Sequence, residues 1–151
     1  MTDNIIEFTT PAQVQAGCDL LEQMYPKQPA GRVHNYIPRM LTEGGWKMIG
    51  IMGIEHTERA NAVILYTTGV RMFCGKYMQL DSLFIRPEAR RRGYSSAIFD
   101  WLEVKAKELD CDRLLLESLV ESFNAHKFFF RQGYHVRGYV VNKLLNDKYE
   151  S

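Results

Sequence analysis

Residues 81–97 constrain the fold of this chain more than any other stretch, because they join a strand, a basic turn and a helix. An apolar run of strand-favouring residues, 83–85, comes first, and Pro87 then ends the pairing because proline has no N–H to give to a ladder. A basic turn follows over residues 90–93, and an apolar helical pattern opens after it. The first N–H groups of a helix lack internal partners and attract negative charge. Gly93 lets the backbone approach a phosphate closely, so the stretch predicts an anion-binding turn.

The basic turn contains three consecutive arginines, which are Arg90, Arg91 and Arg92. Such a run is usually a solvated turn, and it can equally contact nucleic acid. The strand–turn–helix context favours a third role, which is binding the phosphate of a nucleotide-type cofactor. The formal net charge of the chain is only +1, and no further basic residues are flanked by aromatics, which weakens the nucleic-acid alternative. We therefore expect a phosphate site and no nucleic-acid partner.

The length and composition of the chain fit one globular domain over residues 1–151. The chain is 46% hydrophobic and 25% charged, which is ordinary for a soluble protein with a substantial core. Asp3 and Glu7 lie in an N-terminus without an apolar run, so we expect no signal peptide. No segment is long enough and apolar enough to span a bilayer, and we expect a cytoplasmic protein without a membrane partner.

Three cysteines, Cys18, Cys74 and Cys111, are scattered along the chain. Their odd number and wide spacing argue against a disulfide framework and favour a reducing compartment. None belongs to a CxxC or Cys/His cluster, so we expect no structural metal site. Free cysteines of this kind are usually small buried or half-buried residues.

Strand patterns dominate the chain before the basic turn. A short strand is predicted at residues 5–8, and longer strands are predicted at residues 46–55, 62–72 and 77–85. Short loops join the three longer strands, which indicates an antiparallel meander.

The predicted strand over residues 77–85 should present alternate side chains to its two faces. Asp81 would then share a face with Leu83, whereas Ser82 and Phe84 would lie on the other face. This prediction separates the carboxylate at position 81 from the aromatic ring at position 84.

A helix-start signal lies between the first strand and the meander. Thr10 can cap a helix, Pro11 fits the first helical position and Gln13 can complete a capping box. Apolar residues then continue at helical spacing. A second, weaker helical pattern covers residues 34–41 and is interrupted by Pro38.

The chain after the basic turn predicts a helix, a strand, a second helix and a closing hairpin. The first helix carries an apolar stripe and a favourable i,i+4 pair, Glu103 with Lys107. The strand covers residues 113–117 and should run parallel to the strand before the helix. Ser122 can cap the second helix, and a hairpin-like segment follows over residues 134–145.

The pattern Arg90-x-x-Gly93-x-Ser95 resembles the pyrophosphate loop of the GNAT superfamily of N-acetyltransferases, which reads Gln/Arg-x-x-Gly-x-Gly/Ala. Segments 83–88 and 125–134 also look like GNAT segments, in order and at family-like spacing. Ser95 stands where the family has glycine or alanine, and it is still small. The resemblance implies the α+β GNAT fold, with helices on both faces of a central, mostly antiparallel twisted sheet of about seven strands.

The same resemblance implies acetyl-coenzyme A as co-substrate, with no metal. The pyrophosphate would bind the N–H groups of residues 91–96, and the pantetheine would pair with the backbone of the strand at Leu83 and Ile85. The implied cofactor-binding residues are Leu83, Phe84, Ile85, Arg90, Arg91, Arg92, Gly93, Tyr94, Ser95, Ser96, Ser122, Asn124 and Phe129.

The activity implied by the resemblance is transfer of an acetyl group to a primary amine of a small molecule or protein. An alkylammonium has a pKa of about 10, so a general base is needed to take its proton. Asp81 is the first candidate, because several family members carry an acidic residue at that place, and Glu117 on the next strand is the second. The alternative for Asp81 is a carboxylate that ends a strand edge or pairs with an arginine.

The family usually has a tyrosine where this chain has Phe129, and a phenyl ring cannot protonate the departing thiolate. Tyr134 replaces the terminal phenylalanine of that segment and is expected to point elsewhere. Three options remain: the thiolate leaves unprotonated or with help from water, Ser122 or Asn124 assists, or the domain is slow or inactive. A coenzyme A-binding sensor without turnover is therefore the alternative function.

The acceptor site would lie over the region between the first two strands, which varies most in the family. Polar and aromatic residues there either shape a substrate pocket or serve surface and packing; they are Tyr25, Arg32, His34, Tyr36 and Arg39. The acceptor stays open among polyamines, protein N-termini, lysine side chains, amino acids and aminoglycosides. The resemblance also admits a homodimer formed through the C-terminal strands.

Overall fold

The computed structural model describes residues 4–148, so Asp3 and the two ends of the predicted 1–151 domain lie outside the described residues. The chain forms two compact units, one ending at Leu115 and one beginning at Leu116. The elements in chain order are β1 (Ile6–Glu7), α1 (Pro11–Glu22), α2 (Arg32–Glu43), β2 (Lys47–Met52), β3 (Ala60–Arg71), β4 (Gly75–Ile85), a 3-10 turn (Pro87–Ala89), α3 (Tyr94–Glu108), β5 (Arg113–Leu116) and α4 (Phe123–Arg131).

The described residues form one five-stranded sheet in the order β1-β2-β3-β4-β5. The first four strands pair antiparallel with their neighbours, as the predicted meander requires. The starts of β4 and β5 are adjacent, because the N–H of Asp112 donates to the Lys76 carbonyl at 2.7 Å and the Asp112 carboxylate accepts from the Lys76 N–H at 2.9 Å. Adjacent starts are what a parallel pair needs. The α+β prediction is confirmed, with five described strands instead of about seven.

The first unit packs helices on both faces of the sheet. On one face, α1 and α2 contribute Leu20, Leu21 and Ile37 to a buried cluster that includes Val63 and Leu65 of β3. Successive residues of a strand point to opposite faces, so Tyr66 lies on the other face. Its ring is 6.5 Å from the ring of Trp101 in α3. The apolar stripe predicted for this helix is therefore core, since Ile98 and Leu102 are fully buried.

The predicted capping box opens α1. Thr10 Oγ1 accepts from the N–H of Gln13 at 3.2 Å, and Gln13 Oε1 accepts in return from the N–H of Thr10 at 3.1 Å. The N–H of Thr9 also donates to Gln13 Oε1 at 2.9 Å. Three N–H groups near the helix start thus gain acceptors that the helix backbone cannot supply.

The predicted interruption at Pro38 is wrong, because α2 runs through it without a break. Proline removes one backbone hydrogen bond from the ladder of a helix. The burial of Val33 and Ile37 against the core compensates for that loss, because tertiary packing supplies most of the stability of a short helix.

The predicted closing hairpin over residues 134–145 is also wrong, because the described residues from 134 to 148 contain no strand. Tyr139 is 89% exposed and Val141 is 92% exposed, so these side chains pack against no described partner. Strand preference in a sequence reflects fit to a half-buried pleated surface, and a segment without such a surface does not form a strand.

His34 of α2 is held between two carboxylates of α1. Its Nε2 lies 2.8 Å from Asp19 Oδ1 and its Nδ1 lies 2.9 Å from Glu22 Oε1. Burial of the ring alone would lower the pKa of His34, but the two hydrogen bonds and the two negative charges outweigh it and raise that pKa. Only the doubly protonated imidazolium donates to both carboxylates at once. In its protonated form, which the two carboxylates favour, His34 therefore joins α1 to α2.

Replacing Thr10 by alanine should lower the free energy of unfolding by about 1 kcal/mol, because the N–H of Gln13 loses its acceptor. Urea denaturation of both proteins measures the difference. Thr9→Ala is the matched control, since Thr9 enters the cap only through its backbone N–H. Equal losses in the two variants would contradict a capping role for the Thr10 hydroxyl.

Replacing His34 by glutamine should destabilise the protein most below about pH 6.5, the ordinary pKa of histidine. A group whose pKa is raised on folding stabilises the native state fully below its unfolded pKa, and loses that contribution as pH rises through the folded value. The stability gap to wild type should therefore shrink as pH increases above 6.5.

Urea denaturation of both proteins across pH 5 to 9 measures this gap. His135→Gln removes an exposed histidine of the second unit and serves as the control. A gap for His34→Gln that is constant with pH would exclude the protonated bridge.

Candidate functional site

The pairing of β3 with β4 contains a one-residue offset at the middle of β4. Val63 pairs with Phe84, but Leu65 pairs with Asp81, so two residues of β4 oppose Ile64 alone. Ser82 lies inside the offset and has a φ of 58°, in the left-handed region that non-glycine residues rarely adopt. The offset is a β-bulge, which re-aims the side chains of the strand.

The predicted alternation across this strand is therefore wrong. Residues that pair directly across two strands share a face, so Asp81 lies with Leu65 and Phe84 lies with Val63. Both β3 residues belong to the core cluster under α1, and Phe84 packs against the same cluster. The bulge thus brings Asp81 and Phe84 to one face of the sheet.

A chain of hydrogen bonds runs from the α1–α2 connection to Asp81. The hydroxyl oxygens of Tyr25 and Ser82 are 2.6 Å apart, and Ser82 Oγ donates to Asp81 Oδ1 at 3.0 Å. Tyr25 is half-buried against the core cluster. The sequence predicts Tyr25 in the acceptor region. It carries no local signal for the bond to Ser82, because the two residues lie 57 positions apart.

Asp81 combines solvent access with partial desolvation. Its side chain is exposed, so a solute can reach the carboxylate. The surrounding protein nevertheless displaces enough water to raise the pKa of Asp81, against two hydrogen bonds from Ser82 that lower it. A solvent-accessible carboxylate with a raised pKa is suited to taking up and releasing a proton.

Arg86 fixes the exit of the chain from β4. It is only 8% exposed, its Nε donates to the Ala60 carbonyl at 3.0 Å, and its backbone N–H donates to the Asn61 carbonyl at 2.8 Å. Arg86 precedes the basic turn by only four residues, but its side chain bonds to the sheet. No sequence signal distinguished it from the arginines that follow.

Arg90 also folds back toward β4. Its Nε donates to the Ile85 carbonyl at 3.1 Å, and its guanidinium carbon lies 5.4 Å from the centre of the Phe84 ring. Arg91 and Arg92 are exposed to solvent. Arg90 is exposed as well, so all three arginines present their charge at the surface of the turn, and Arg90 in addition bonds to the end of β4.

The turn ends in a left-handed glycine at the start of α3. Gly93 is the N-cap residue with a φ of 76°, and no side chain caps this helix. Its first N–H groups, on Tyr94, Ser95 and Ser96, therefore lack a capping side chain. The Tyr94 side chain is buried, so this residue offers its backbone alone. The left-handed turn and the uncapped helix start lie where the sequence predicts an anion-binding turn, and anion binding there stays a prediction.

The second unit carries the remaining predicted site residues. Glu117 and Asn124 are exposed, whereas Phe129 is half-buried with its ring 6.2 Å from that of Tyr134. Ser122 is the N-cap residue of α4, but the predicted side-chain cap is wrong, because its hydroxyl makes no capping bond. Its ψ of 63° departs from the extended backbone that aims a cap at the helix.

Features of a metal site or of a membrane span are absent from the described residues. Residues 4–148 contain no group of three or more His, Cys, Asp or Glu side chains arranged to hold a metal ion. No described helix combines the length and the apolar character needed to cross a membrane.

Solved structures with the same fold are numerous. A glucosamine-6-phosphate N-acetyltransferase from Arabidopsis thaliana matches with a TM-score of 0.71 at 13% identity, covering 94% of this chain and 97% of that one. An enzyme named AAC(6')-Iy, in complex with the bisubstrate analog CoA-S-monomethyl-acetylneamine, matches with a TM-score of 0.76 at 14% identity, covering 95% and 97%. A ribosomal-protein-alanine N-acetyltransferase from Brucella melitensis matches with a TM-score of 0.73 at 15% identity, covering 92% and 97%.

No curated protein sequence matches the chain at a significant level. The profile of the GNAT acetyltransferase family, by contrast, matches residues 18–134. That range contains the bulged strand, the basic turn and α4, and it spans well over half of the chain. The resemblance noted in the sequence is thereby confirmed, and the chain belongs to the GNAT family of acetyltransferases.

Proposed function

We propose that this protein is a single-domain N-acetyltransferase that transfers an acetyl group from acetyl-coenzyme A to a primary amine. The observation that carries the proposal is the continuous path from Asp81 in the β4 bulge to the left-handed Gly93 and the uncapped start of α3. A proton acceptor and an anion-binding turn thus lie on one segment of a GNAT-family chain.

The start of α3 fits the pyrophosphate of acetyl-coenzyme A. Uncapped N–H groups at residues 94–96 point out of the helix, and the helix dipole adds positive potential there. Gly93 allows the left-handed turn without the strain of a side chain. The exposed guanidinium groups of Arg91 and Arg92 would add charge-assisted hydrogen bonds to phosphate oxygens.

The end of β4 would hold the pantetheine arm by its backbone at Leu83 and Ile85. Both residues are half-buried, and the Ile85 carbonyl already accepts from Arg90 Nε. A carbonyl oxygen has two lone pairs, so this bond leaves room for a second donor. Arg90 would then stabilise the end of β4 instead of binding phosphate directly.

Asp81 would act as the general base. The amine acceptor is an ammonium ion at neutral pH, with a pKa of about 10, and it must lose a proton before it can attack. The raised pKa of Asp81 makes its carboxylate a stronger base than an ordinary aspartate. Bound acetyl-coenzyme A supplies the activated acetyl group as a thioester.

The coenzyme A thiolate can depart without a dedicated general acid. An ordinary thiol has a pKa of about 8.5, so a thiolate is a stable leaving group near neutral pH. Phe129 at the usual tyrosine position is therefore compatible with turnover, with water as proton source. The same residue supports the second candidate function, a coenzyme A-binding sensor without turnover.

The acceptor is an amine whose identity is open. The names of the three similar structures refer to glucosamine-6-phosphate, to an acetylneamine analog and to a ribosomal-protein alanine. Since the fold accommodates such different acceptors, fold likeness does not select one for this chain. A cytoplasmic location and a homodimer also stay predictions.

Isothermal titration with acetyl-coenzyme A, followed by a thiol-release assay against a panel of amines, tests the proposal. Binding with turnover on one amine class would support the enzyme and name its acceptor class. Binding without turnover would favour the sensor, and absence of binding would overturn both functions.

Replacing Gly93 by valine should weaken acetyl-coenzyme A binding at least tenfold, because a β-branched residue does not tolerate a φ of 76° and would displace the helix start. Calorimetric titration measures the affinity. Gly31→Val is a matched control, because Gly31 is also a left-handed N-cap glycine, at the start of α2, with a φ of 80°. Equal weakening in both variants would mean that strain alone, and not the turn, lowers the affinity.

Replacing Asp81 by asparagine should lower kcat by about 10²- to 10⁴-fold, the usual contribution of a general base. In wild type, activity should rise with pH as the Asp81 carboxylate ionises, and this acidic limb should be absent from the variant. The pH dependence of kcat/KM measures it. Glu117→Gln is the matched control, and a larger loss there would transfer the role of base to Glu117.

A further inference from the structure

The bond between Tyr25 and Ser82 joins residues that lie 57 positions apart, and Ser82 in turn bonds to the proposed base. Resting on the proposed function, we propose that Tyr25 and Ser82 are positioning residues: the chain Tyr25 O–H to Ser82 O–H to Asp81 Oδ1 holds the carboxylate in place for the amine acceptor. The segment between α1 and α2 would thereby set the geometry of the proton acceptor on β4.

The direction of this chain follows from counting hydrogens. A serine hydroxyl has one hydrogen, and Ser82 donates it to Asp81 Oδ1 at 3.0 Å. Ser82 Oγ can therefore only accept in its 2.6 Å contact with the Tyr25 hydroxyl. Tyr25 must be the donor, and an ionised Asp81 is the final acceptor. The Tyr25 hydrogen thus goes to Ser82 Oγ, and the Ser82 hydrogen goes to Asp81 Oδ1.

The surrounding structure holds both hydroxyl-bearing residues of the hydrogen-bond chain. The Tyr25 ring packs against the core cluster, and Ser82 sits at a φ of 58° inside the β-bulge. Left-handed backbone at a non-glycine residue costs free energy and persists only where the surrounding structure imposes it. In the bulge, Ser82 can reach Tyr25 on one side and Asp81 on the other. A strained residue with such a bridging role is typical of a functional site.

A positioning role fits Tyr25 better than the role of a general acid. Burial is the largest effect on Tyr25, and with the charge of Asp81 it outweighs the bond to Ser82 and raises the pKa of the phenol above 10. A thiolate whose conjugate acid has a pKa of about 8.5 would take a proton from such a phenol only unfavourably. Tyr25 therefore stays protonated, which keeps the direction of the chain fixed.

The arrangement leaves acceptor capacity on the Asp81 carboxylate for catalysis. The side-chain bond from Ser82 engages Oδ1, and a carboxylate has a second oxygen that can accept the proton of the ammonium. Asp81 also interacts electrostatically with Tyr25, because its negative charge contributes to the raised pKa of the phenol. A carboxylate held at one oxygen loses rotational freedom, and this favours the reactive geometry.

Steady-state kinetics of Tyr25→Phe and Ser82→Gly test the inference, because both remove a hydroxyl and glycine suits the positive φ at position 82. We expect Tyr25→Phe to lower kcat about tenfold without changing the affinity for acetyl-coenzyme A. Its acidic limb in kcat/KM should move to higher pH, because the ionised carboxylate is less well solvated by hydrogen bonds. Ser82→Gly should show the same changes more strongly.

The double variant, Tyr25→Phe with Ser82→Gly, shows whether the two hydroxyls act on Asp81 as one hydrogen-bond chain or independently. If Tyr25 acts through Ser82, Tyr25→Phe should add nothing to Ser82→Gly, to within about twofold in kcat. Tyr139→Phe is the matched control, since it removes the same hydroxyl from a side chain that is 89% exposed. Unchanged kcat and pH profile in Tyr25→Phe, or additive losses in the double variant, would overturn the inference while leaving the proposed function intact.

A titration of the Asp81 carboxylate by carbon NMR tests the hydrogen-bond chain from Tyr25 to Asp81 and requires no turnover. The pKa of Asp81 should rise in Ser82→Gly and, by a smaller amount, in Tyr25→Phe, and should stay unchanged in Tyr139→Phe. An identical titration in Tyr25→Phe and wild type would overturn the chain. Failure of wild type to acetylate any amine would instead overturn the proposed function, so the two failures are distinguishable.

Discussion

The one-residue offset in the pairing of β3 with β4 is the constraint on which the site depends. It turns the Asp81 side chain toward the face covered by α1, and it places Phe84 on that same face. It also forces Ser82 into left-handed backbone, from which its hydroxyl reaches both Tyr25 and Asp81. A regular strand would separate these groups, because its side chains alternate between faces. The position of the Asp81 carboxylate therefore follows from the backbone conformation of β4.

The sheet and its helices hold this bulge in place. The first half of β3 is mostly buried and pairs with β2, and β4 pairs along most of the length of β3, so the bulged part of β4 lies against a buried strand. Arg86 anchors the end of β4 to the Ala60 carbonyl of β3, and the turn to α3 begins from that fixed point. The predicted acceptor region is bonded to β4 through Tyr25, and its helix α2 is bonded to α1 through His34. Main-chain geometry and a few long-range side-chain bonds thus cooperate at the proposed site.

Local signals in the sequence predicted much of this structure. Thr10 and Gln13 identified the start of α1, because a capping box depends only on residues three positions apart. Gly93 after a basic turn identified the start of α3, since its left-handed conformation is a local requirement. Predictions were wrong where the structure depends on packing against residues that are distant in the sequence. The segment at residues 134–145 has strand-like composition but no described pairing partner, and Pro38 stays inside α2 because Val33 and Ile37 are buried.

The sequence by itself determined the order of most elements, the antiparallel meander, the glycine turn before α3 and, through its motifs, the family. These features rest on periodicity and on residues close together in the chain. Only the tertiary structure decided which face Asp81 occupies, that Arg86 serves the sheet and that Tyr25 bonds to Ser82. A bulge is a property of two paired strands, and a contact between residues 57 positions apart is a property of packing, so neither leaves a signal in the local sequence.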